Sequence, residues 1–412
     1  MSEVLSNNPQ SRKRFKFNLW KKVWHSILST VKEGYLKVTY FDGSVVFYGK
    51  SSDSDSYAEL IIHDEAFYSR AILGGSVGLG DAYVDGIWSS PDLSKLLILL
   101  AANVEKFGPY QKGLSLINHW LNCAFHFLRK NNKKNSLANI QAHYDLSNDF
   151  YKTFLDSSMS YSSAYFDGQS LNLQEAQLNK IRRILDLSEL KKGNRILEIG
   201  SGWGALAFEA SNRECSIKTI TLSKAQYDYV AEKLNAREDK GSIEIALQDY
   251  RDETALYDNV ISCEMIEAVG KEYLARYFNK IKDVLKEKGT AVLQAITIRD
   301  SDYAAYARSC DWIQKHIFPG GHLPSLGVIQ KHIDQIDGIE IKNVYSFGSD
   351  YAKTLNLWDE NFVQSIKQVE ALGFDETFQR KWRYYFSYCI AGFANQLIDV
   401  QHIVIQRTDA QF

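Results

Sequence analysis

The run ILEIGSGWG at residues 196–204 constrains this chain more than any other feature. A strand expected over 195–199 leads into a turn with glycine at 200, 202 and 204, and the turn opens a helix at Ala205. Glycine allows positive φ and lets a ligand approach the main chain closely. Further apolar strand candidates follow at 217–222, 243–247, 259–263 and 290–296, with helical stretches between them. One such helix is announced by Asn172 with Glu175 three residues on, and it repeats Leu178, Ile181 and Leu185 on one face. Strand and helix in alternation predict an α/β fold with a mostly parallel sheet covered on both faces.

In such a sheet, ligands bind beyond the carboxyl ends of the strands, where the strand order reverses. The spacing G-x-G-x-G differs from the G-x-G-x-x-G of dinucleotide binders and suits an adenosyl amino acid better. A bare strand-to-helix turn without ligand is the bland alternative. Two polar strand ends argue against it: Thr221-Leu222-Ser223 and the run QDYRD at 248–252. Three polar ends arriving in order are what a nucleoside pocket requires.

The 412 residues allow two or three domains. A basic, apolar-poor stretch, RKNNKKNS at 129–136, reads as a linker. It predicts an N-terminal domain at 1–130, a linker at 131–137 and a catalytic domain at 138–412. Short β-like runs at 36–40, 44–48 and 58–63 make the first of these a small α+β domain. A late strand is expected at 402–406. Just before it, Trp382, Tyr385, Phe386, Cys389 and Phe393 form a helical stripe that reads as core or channel wall.

Net charge is −2, which does not favour nucleic acid as a partner. Five scattered cysteines with no C-x-x-C pair suggest neither a metal site nor a disulfide framework, and fit a reducing cytoplasm. The start lacks the apolar run of a secretory signal. The longest apolar run, 96–102, is far short of the roughly 20 residues a membrane span requires. Membrane contact is expected instead from an amphipathic N-terminal helix. There Arg12, Lys13, Arg14, Lys16, Lys21 and Lys22 lie near Phe17, Trp20, Trp24, Ile27 and Val31. Packing of that apolar face on its own domain is the alternative.

Several long motifs occur in order: HYDLSNDFY at 143–151, MSYSSAYF at 159–166, EMIEAVG at 264–270, IFPGGHLPS at 317–325 and YAKTLNLW at 351–358. With the glycine loop and QDYRD, they resemble the cyclopropane-fatty-acid-phospholipid synthases and the related mycolic acid cyclopropane synthases. GLGDAYVDG at 78–86 is similar to that family's N-terminal domain, which assists lipid engagement and dimerisation. The resemblance implies a class I S-adenosylmethionine-dependent methyltransferase fold. It also implies a homodimer peripherally attached to a phospholipid bilayer, and methylene transfer from the donor to cis double bonds of acyl chains. Methylation that stops at a branched or methylene product, and lipid or cofactor binding without turnover, are the alternatives.

By the same resemblance, the donor is held by Tyr161, Ser162, Gly200, Gly202, Trp203, Gly204, Thr221, Leu222, Gln226, Gln248, Asp249, Cys263 and Glu264. A bicarbonate ion, the base that removes a proton from the new methyl group, is expected at Ser163, Glu267, Gln294, Ile296 and Tyr351. Glu267 would orient the ion and raise its basicity, and Tyr351 would hydrogen-bond it. The family usually has cysteine where Ser163 stands and histidine where Gln294 stands. Ala268 replaces a histidine common after the glutamate, and these departures are similar to the plant branch. Serine and glutamine can both donate to an anion. The bland readings are a strand-end carboxylate for Glu267, a core tyrosine for Tyr351, a turn serine for Ser163 and a satisfied strand polar residue for Gln294. Aromatic faces at Tyr161, Tyr165, Phe166, Phe318, Tyr351, Tyr385 and Phe386 would steady the lipid cation. His143 reads as structural.

Overall fold

The computed structural model describes residues 9–50, 57–107, 146–236 and 242–408, with the backbone alone for 9–18. The chain divides into two compact units.

The first unit combines Met1–Ala124 with Cys310–Trp312 and Phe374–Asn395. Its sheet has the order β2-β1-β3-β4, made of β1 (Tyr35–Thr39), β2 (Val45–Gly49), β3 (Tyr57–Ile62) and β4 (Trp88–Ser89). Strand β1 alternates so that Leu36 and Val38 are buried. The glycine-rich stretch at 74–86 is mostly helical, within a helix Ala66–Val84 kinked at Gly75, where φ is 56°. Gly80 is required there, because a Cβ would lie 2.6 Å from both Trp312 and Tyr384. The aromatic stripe falls on helix Glu376–Ala394, with Trp382, Tyr385, Phe386 and Phe393 buried. It therefore packs with the N-terminal unit, although the sequence reading placed it in the catalytic domain. On the N-terminal helix Pro9–Leu28, Trp24 and Leu28 are buried, and Trp24 meets Phe67 edge-on. That part of its apolar face is taken up by its own unit. The side chains of Arg12, Lys13, Arg14, Lys16 and Phe17 lie outside the described residues, as do the expected linker at 131–137 and His143.

The second unit is built on a seven-stranded sheet of order β10-β11-β9-β8-β5-β6-β7. Its strands are β5 (Arg195–Ile199), β6 (Ser216–Thr221), β7 (Ile243–Leu247), β8 (Tyr257–Cys263), β9 (Leu285–Ile298), β10 (Ile339–Ser346) and β11 (Ile398–Arg407). The pairs β5–β6, β6–β7, β5–β8 and β8–β9 are parallel, and β11 runs antiparallel to both β9 and β10. The chain leaves β5 toward β7 and returns to β8, so the order reverses between β5 and β8. That places the switch-point crevice beyond Ile199 and Cys263. Helix Leu173–Leu187 carries the expected capping box at Asn172 and Glu175 and buries Ile181, Ile184 and Leu185.

Candidate active site

A cleft of about 170 Å3 opens at the switch point. Eleven of the thirteen expected donor contacts line it: Tyr161, Ser162, Gly200, Gly202, Trp203, Thr221, Leu222, Gln226, Gln248, Cys263 and Glu264. Gly204 and Asp249 do not. Gly204 starts helix Ala205–Asn212 at φ 88°, where a Cβ would press to 3.0 Å on Phe208 and Val230. Asp249 spends both carboxylate oxygens on Arg251, at 2.8 and 2.6 Å, and is itself buried. The cleft floor is backbone: Gly202 holds φ 48°, and nothing lies within 4 Å of where its Cβ would be.

Two charged residues in the cleft escaped the sequence reading, Lys180 and Glu198. Lys180 lies on the buried face of its helix and donates to Ser162 Oγ at 2.7 Å. Glu198 sits inside the apolar strand β5, and burial pushes its carboxyl up to about 8. Its Oε2 is buried without a hydrogen-bond partner. A buried carboxyl that lacks a partner and a buried ammonium suit a zwitterionic amino acid, since the ligand's ammonium would favour the ionised form of Glu198 and its carboxylate would face Lys180. The signal for both lay in the sequence as charges on otherwise apolar faces. Around the entrance, Tyr151 packs on Tyr161 and Trp203 at 5.3 and 5.0 Å, and Tyr161 packs on Trp358 at 5.3 Å. The residues therefore fit S-adenosylmethionine, with Glu198 and Lys180 for its amino-acid end and aromatic faces for a cation.

Beside this cleft the structure brings together all five residues expected around bicarbonate. Their donors, however, point at protein carboxylates. Glu264 Oε1 accepts from the Ser163 amide at 2.8 Å and from Gln294 Nε2 at 2.7 Å. Glu264 Oε2 accepts from the Tyr351 hydroxyl at 2.7 Å. The Ile296 amide donates to Glu267 Oε1 at 2.5 Å. The Ser163 hydroxyl, expected to face an anion, donates instead to the Ala164 carbonyl at 2.9 Å. Every donor in the expected set is thus engaged, and an added anion would stand beside two carboxylates. Bicarbonate does not fit this arrangement. Glu264, expected to touch the donor, also takes the hydrogen bonds expected of the ion.

The two carboxylates differ. Burial raises both, and Glu264 is held back by its three hydrogen bonds and by Lys180. Hydrogen bonds to charged groups contribute about 1.5–3 kcal/mol each, enough to keep a buried carboxylate ionised when three converge. Glu267 has only the Ile296 amide, its Oε2 is buried without a partner, and burial together with Glu264 pushes it up to about 8.

A buried relay sets the Gln294 amide. Arg183 Nε can only donate, so its 3.2 Å contact makes His402 Nδ1 an acceptor. His402 is buried, and its pKa lies well below the usual histidine value through desolvation and the neighbouring Arg183 and Lys180. The neutral ring then carries its proton on Nε2 and donates to Gln294 Oε1 at 2.8 Å. The amide nitrogen is left facing Glu264 and the Ser163 carbonyl. Neither Arg183 nor His402 was singled out from sequence. Among the other expected aromatics, Tyr165 stacks on Arg183 and Phe166 lies under Lys353, while Tyr385 and Phe386 belong to the first unit.

The family model for mycolic acid cyclopropane synthetase matches residues 131–403. The tuberculostearic acid methyltransferase UfaA1 of Mycobacterium tuberculosis is 36% identical over 376 residues, covering 89% of this chain and 86% of that protein. The cyclopropane-fatty-acyl-phospholipid synthase of Escherichia coli is 31% identical over 368 residues, covering 87% and 90%. The crystal structure of mycolic acid cyclopropane synthase CmaA1 complexed with SAH and CTAB superposes with a TM-score of 0.61 at 31% identity. It covers 66% of this chain and 98% of that one.

Proposed function

The chain belongs to the mycolic acid cyclopropane synthetase family of S-adenosylmethionine-dependent methyltransferases, and from that premise we propose that it adds one carbon across the cis double bond of unsaturated acyl chains in membrane phospholipid. The observation that carries the reading is the junction at Glu264. The donor cleft and the buried carboxylate pair share this residue, so a donor held in the cleft would deliver its carbon beside a group able to take up a proton. The bound donor supplies an electrophilic methyl group that needs no acid assistance. The protein's work is alignment, exclusion of water and proton removal.

Ring closure is the first reading, as in the synthase of Escherichia coli. A methyl-branched or methylene product is the second. It is favoured by the 36% identity to a tuberculostearic acid methyltransferase, together with Ser163 and Gln294 where the family usually has cysteine and histidine. No described helix is long and apolar enough to cross a membrane. From the family resemblance and the basic N-terminal sequence, we propose a protein that reaches the bilayer from the cytoplasmic side as a homodimer, with its N-terminal helix contributing to docking.

The test is incubation of the purified protein with methyl-deuterated donor and vesicles of a defined unsaturated phospholipid. Mass spectrometry and proton NMR of the released chains would then be expected to show one added carbon bearing two of the three deuterons. NMR separates ring from methylene. Turnover of the donor with no deuterium in lipid would refute the assignment.

A further inference from the structure

We propose that this enzyme carries its own anion: Glu264 occupies the place of an external bicarbonate, and Glu267 receives the proton that the alkylated acyl chain must lose. The proposal rests on the lipid one-carbon transfer argued above and names the groups that complete it.

Three independent features support it. First, the donors converge. The Ser163 amide, Gln294 amide and Tyr351 hydroxyl come from three separated parts of the chain and meet on one carboxylate. Second, the backbone is shaped for it. Glu264 holds φ 48°, a left-handed conformation that a non-glycine residue seldom adopts, directly after strand β8. Strain of this kind persists where the surroundings over-determine it, and it clusters at functional sites. Third, the neighbouring carboxylate is incomplete. Glu267 sits on the short turn Ile266–Ala268, with Oε1 tied to the Ile296 amide and Oε2 buried without a partner. An unsatisfied buried acceptor is costly and therefore informative.

The division of labour follows from charge. The alkene π pair forms the new carbon–carbon bond as the sulfur–methyl bond breaks and its electrons return to sulfur. The adjacent chain carbon is left cationic. Glu264, fixed and ionised, offers a negative charge that needs no reorganisation. Ring closure then uses the electron pair of one C–H bond of the new methyl group, and its proton passes to Glu267 Oε2. For a methylene product, a hydride first shifts to the cationic carbon from the carbon bearing the methyl group. The same proton acceptor then yields the double bond. Burial, and after it the like charge of Glu264, keeps Glu267 basic, which a proton acceptor at neutral pH requires.

The experiment measures deuterated-methyl transfer to unsaturated phospholipid vesicles by the full-length protein, in buffer purged of carbon dioxide and again with saturating bicarbonate. The expected result is that the two rates agree within about twofold, and that Glu264→Gln lowers turnover by about a hundredfold in both buffers. Circular dichroism and S-adenosylhomocysteine titration accompany the variant, with folded protein and donor affinity within a few-fold of wild type expected. A wild-type rate that collapses without bicarbonate and returns with it overturns the proposal, whether or not the variant folds. So does a folded Glu264→Gln variant with wild-type turnover. Absence of carbon transfer to lipid in either buffer overturns the functional assignment itself, and the proposal with it.

Discussion

Glu267→Gln should stabilise the protein at alkaline pH while nearly stopping turnover. Burial and the neighbouring Glu264 raise the Glu267 carboxyl from its ordinary 4.5 to about 8. The folded state therefore keeps a proton that the unfolded chain gives up. The associated stability is fully present below about 4.5 and is lost as pH rises toward about 8, a window worth on the order of 5 kcal/mol at about 1.36 kcal/mol per pH unit. Glutamine has the same shape, still accepts from the Ile296 amide and carries no charge. The unfolding midpoints of variant and wild type should therefore coincide below about pH 4.5, separate progressively as pH rises toward about 8 in favour of the variant, and keep a constant gap above that. Turnover should fall by about 10²–10⁴, the usual contribution of a positioned base. Wild-type kcat should rise with pH toward a limb near 8, because the base must be ionised. The groups facing Glu267 are Glu264, Cys263 and Tyr277, and Glu264 moves that limb upward. Thermal melts across pH 5–9, paired with labelled-lipid assays, check both halves. A stability difference that does not change with pH, or a variant that keeps wild-type turnover, would refute the reasoning.

Further outcomes follow from the donor cleft, the relay and the N-terminal helix. Gly202→Ala places a side chain at φ 48° on the cleft floor. A left-handed residue costs about 1–2 kcal/mol, so S-adenosylhomocysteine should bind about tenfold more weakly by calorimetry. Lys180→Met keeps the buried volume and removes the charge beside Ser162. Donor affinity should drop by about 10- to 100-fold, and stability should fall as well, since the buried carboxyls of Glu198 and Glu264 lose a neighbouring cation. His402→Phe leaves the buried Gln294 carbonyl unsatisfied, a penalty of about 1–3 kcal/mol, and frees the amide to turn. Denaturant unfolding should show that loss, kcat should fall with KM for donor unchanged, and His402→Gln, which can still donate, should recover part of both. Neutralising Arg12, Lys13, Arg14, Lys16, Lys21 and Lys22 should weaken binding to anionic vesicles at low salt in a sedimentation assay.

The switch-point sheet was legible because its strands are short apolar runs bounded by turn residues. The runs at 195–199 and 243–247 coincide with β5 and β7. Strand β10 was missed because Ile339–Ser346 is a mostly exposed edge strand whose alternation lasts only from Ile339 to Lys342 before the register shifts between Ile341 and Asn343. Helix Ala66–Val84 was obscured by four glycines within it. One of them, Gly80, answers to crowding by Trp312 and Tyr384, which are distant in sequence. The site was legible as a set of residues and illegible as a circuit. Glu264 and Glu267 stand three apart in plain view. That one collects the donors while the other lacks them depends on Tyr351, 87 residues away, and on His402, 108 residues from Gln294.

That circuit bears on which product forms. A diffusible anion can settle at more than one position around a cationic acyl chain, and so can reach different protons. A carboxylate on a short turn, tied through one oxygen to the Ile296 amide, has one reach. The choice between ring and methylene then rests on how long the cation persists before Glu267 acts. Direct transfer from the new methyl group closes the ring, whereas delay admits the hydride shift that leads to the methylene. Loosening Gln294 through His402 weakens the hold on Glu264, and with it the charge that steadies the cation. The methylene-to-ring ratio should therefore shift in His402→Phe relative to wild type, measured by NMR on the same lipid. An unchanged ratio alongside a lowered rate would show that Glu264 sets the speed of the reaction and has no part in its outcome.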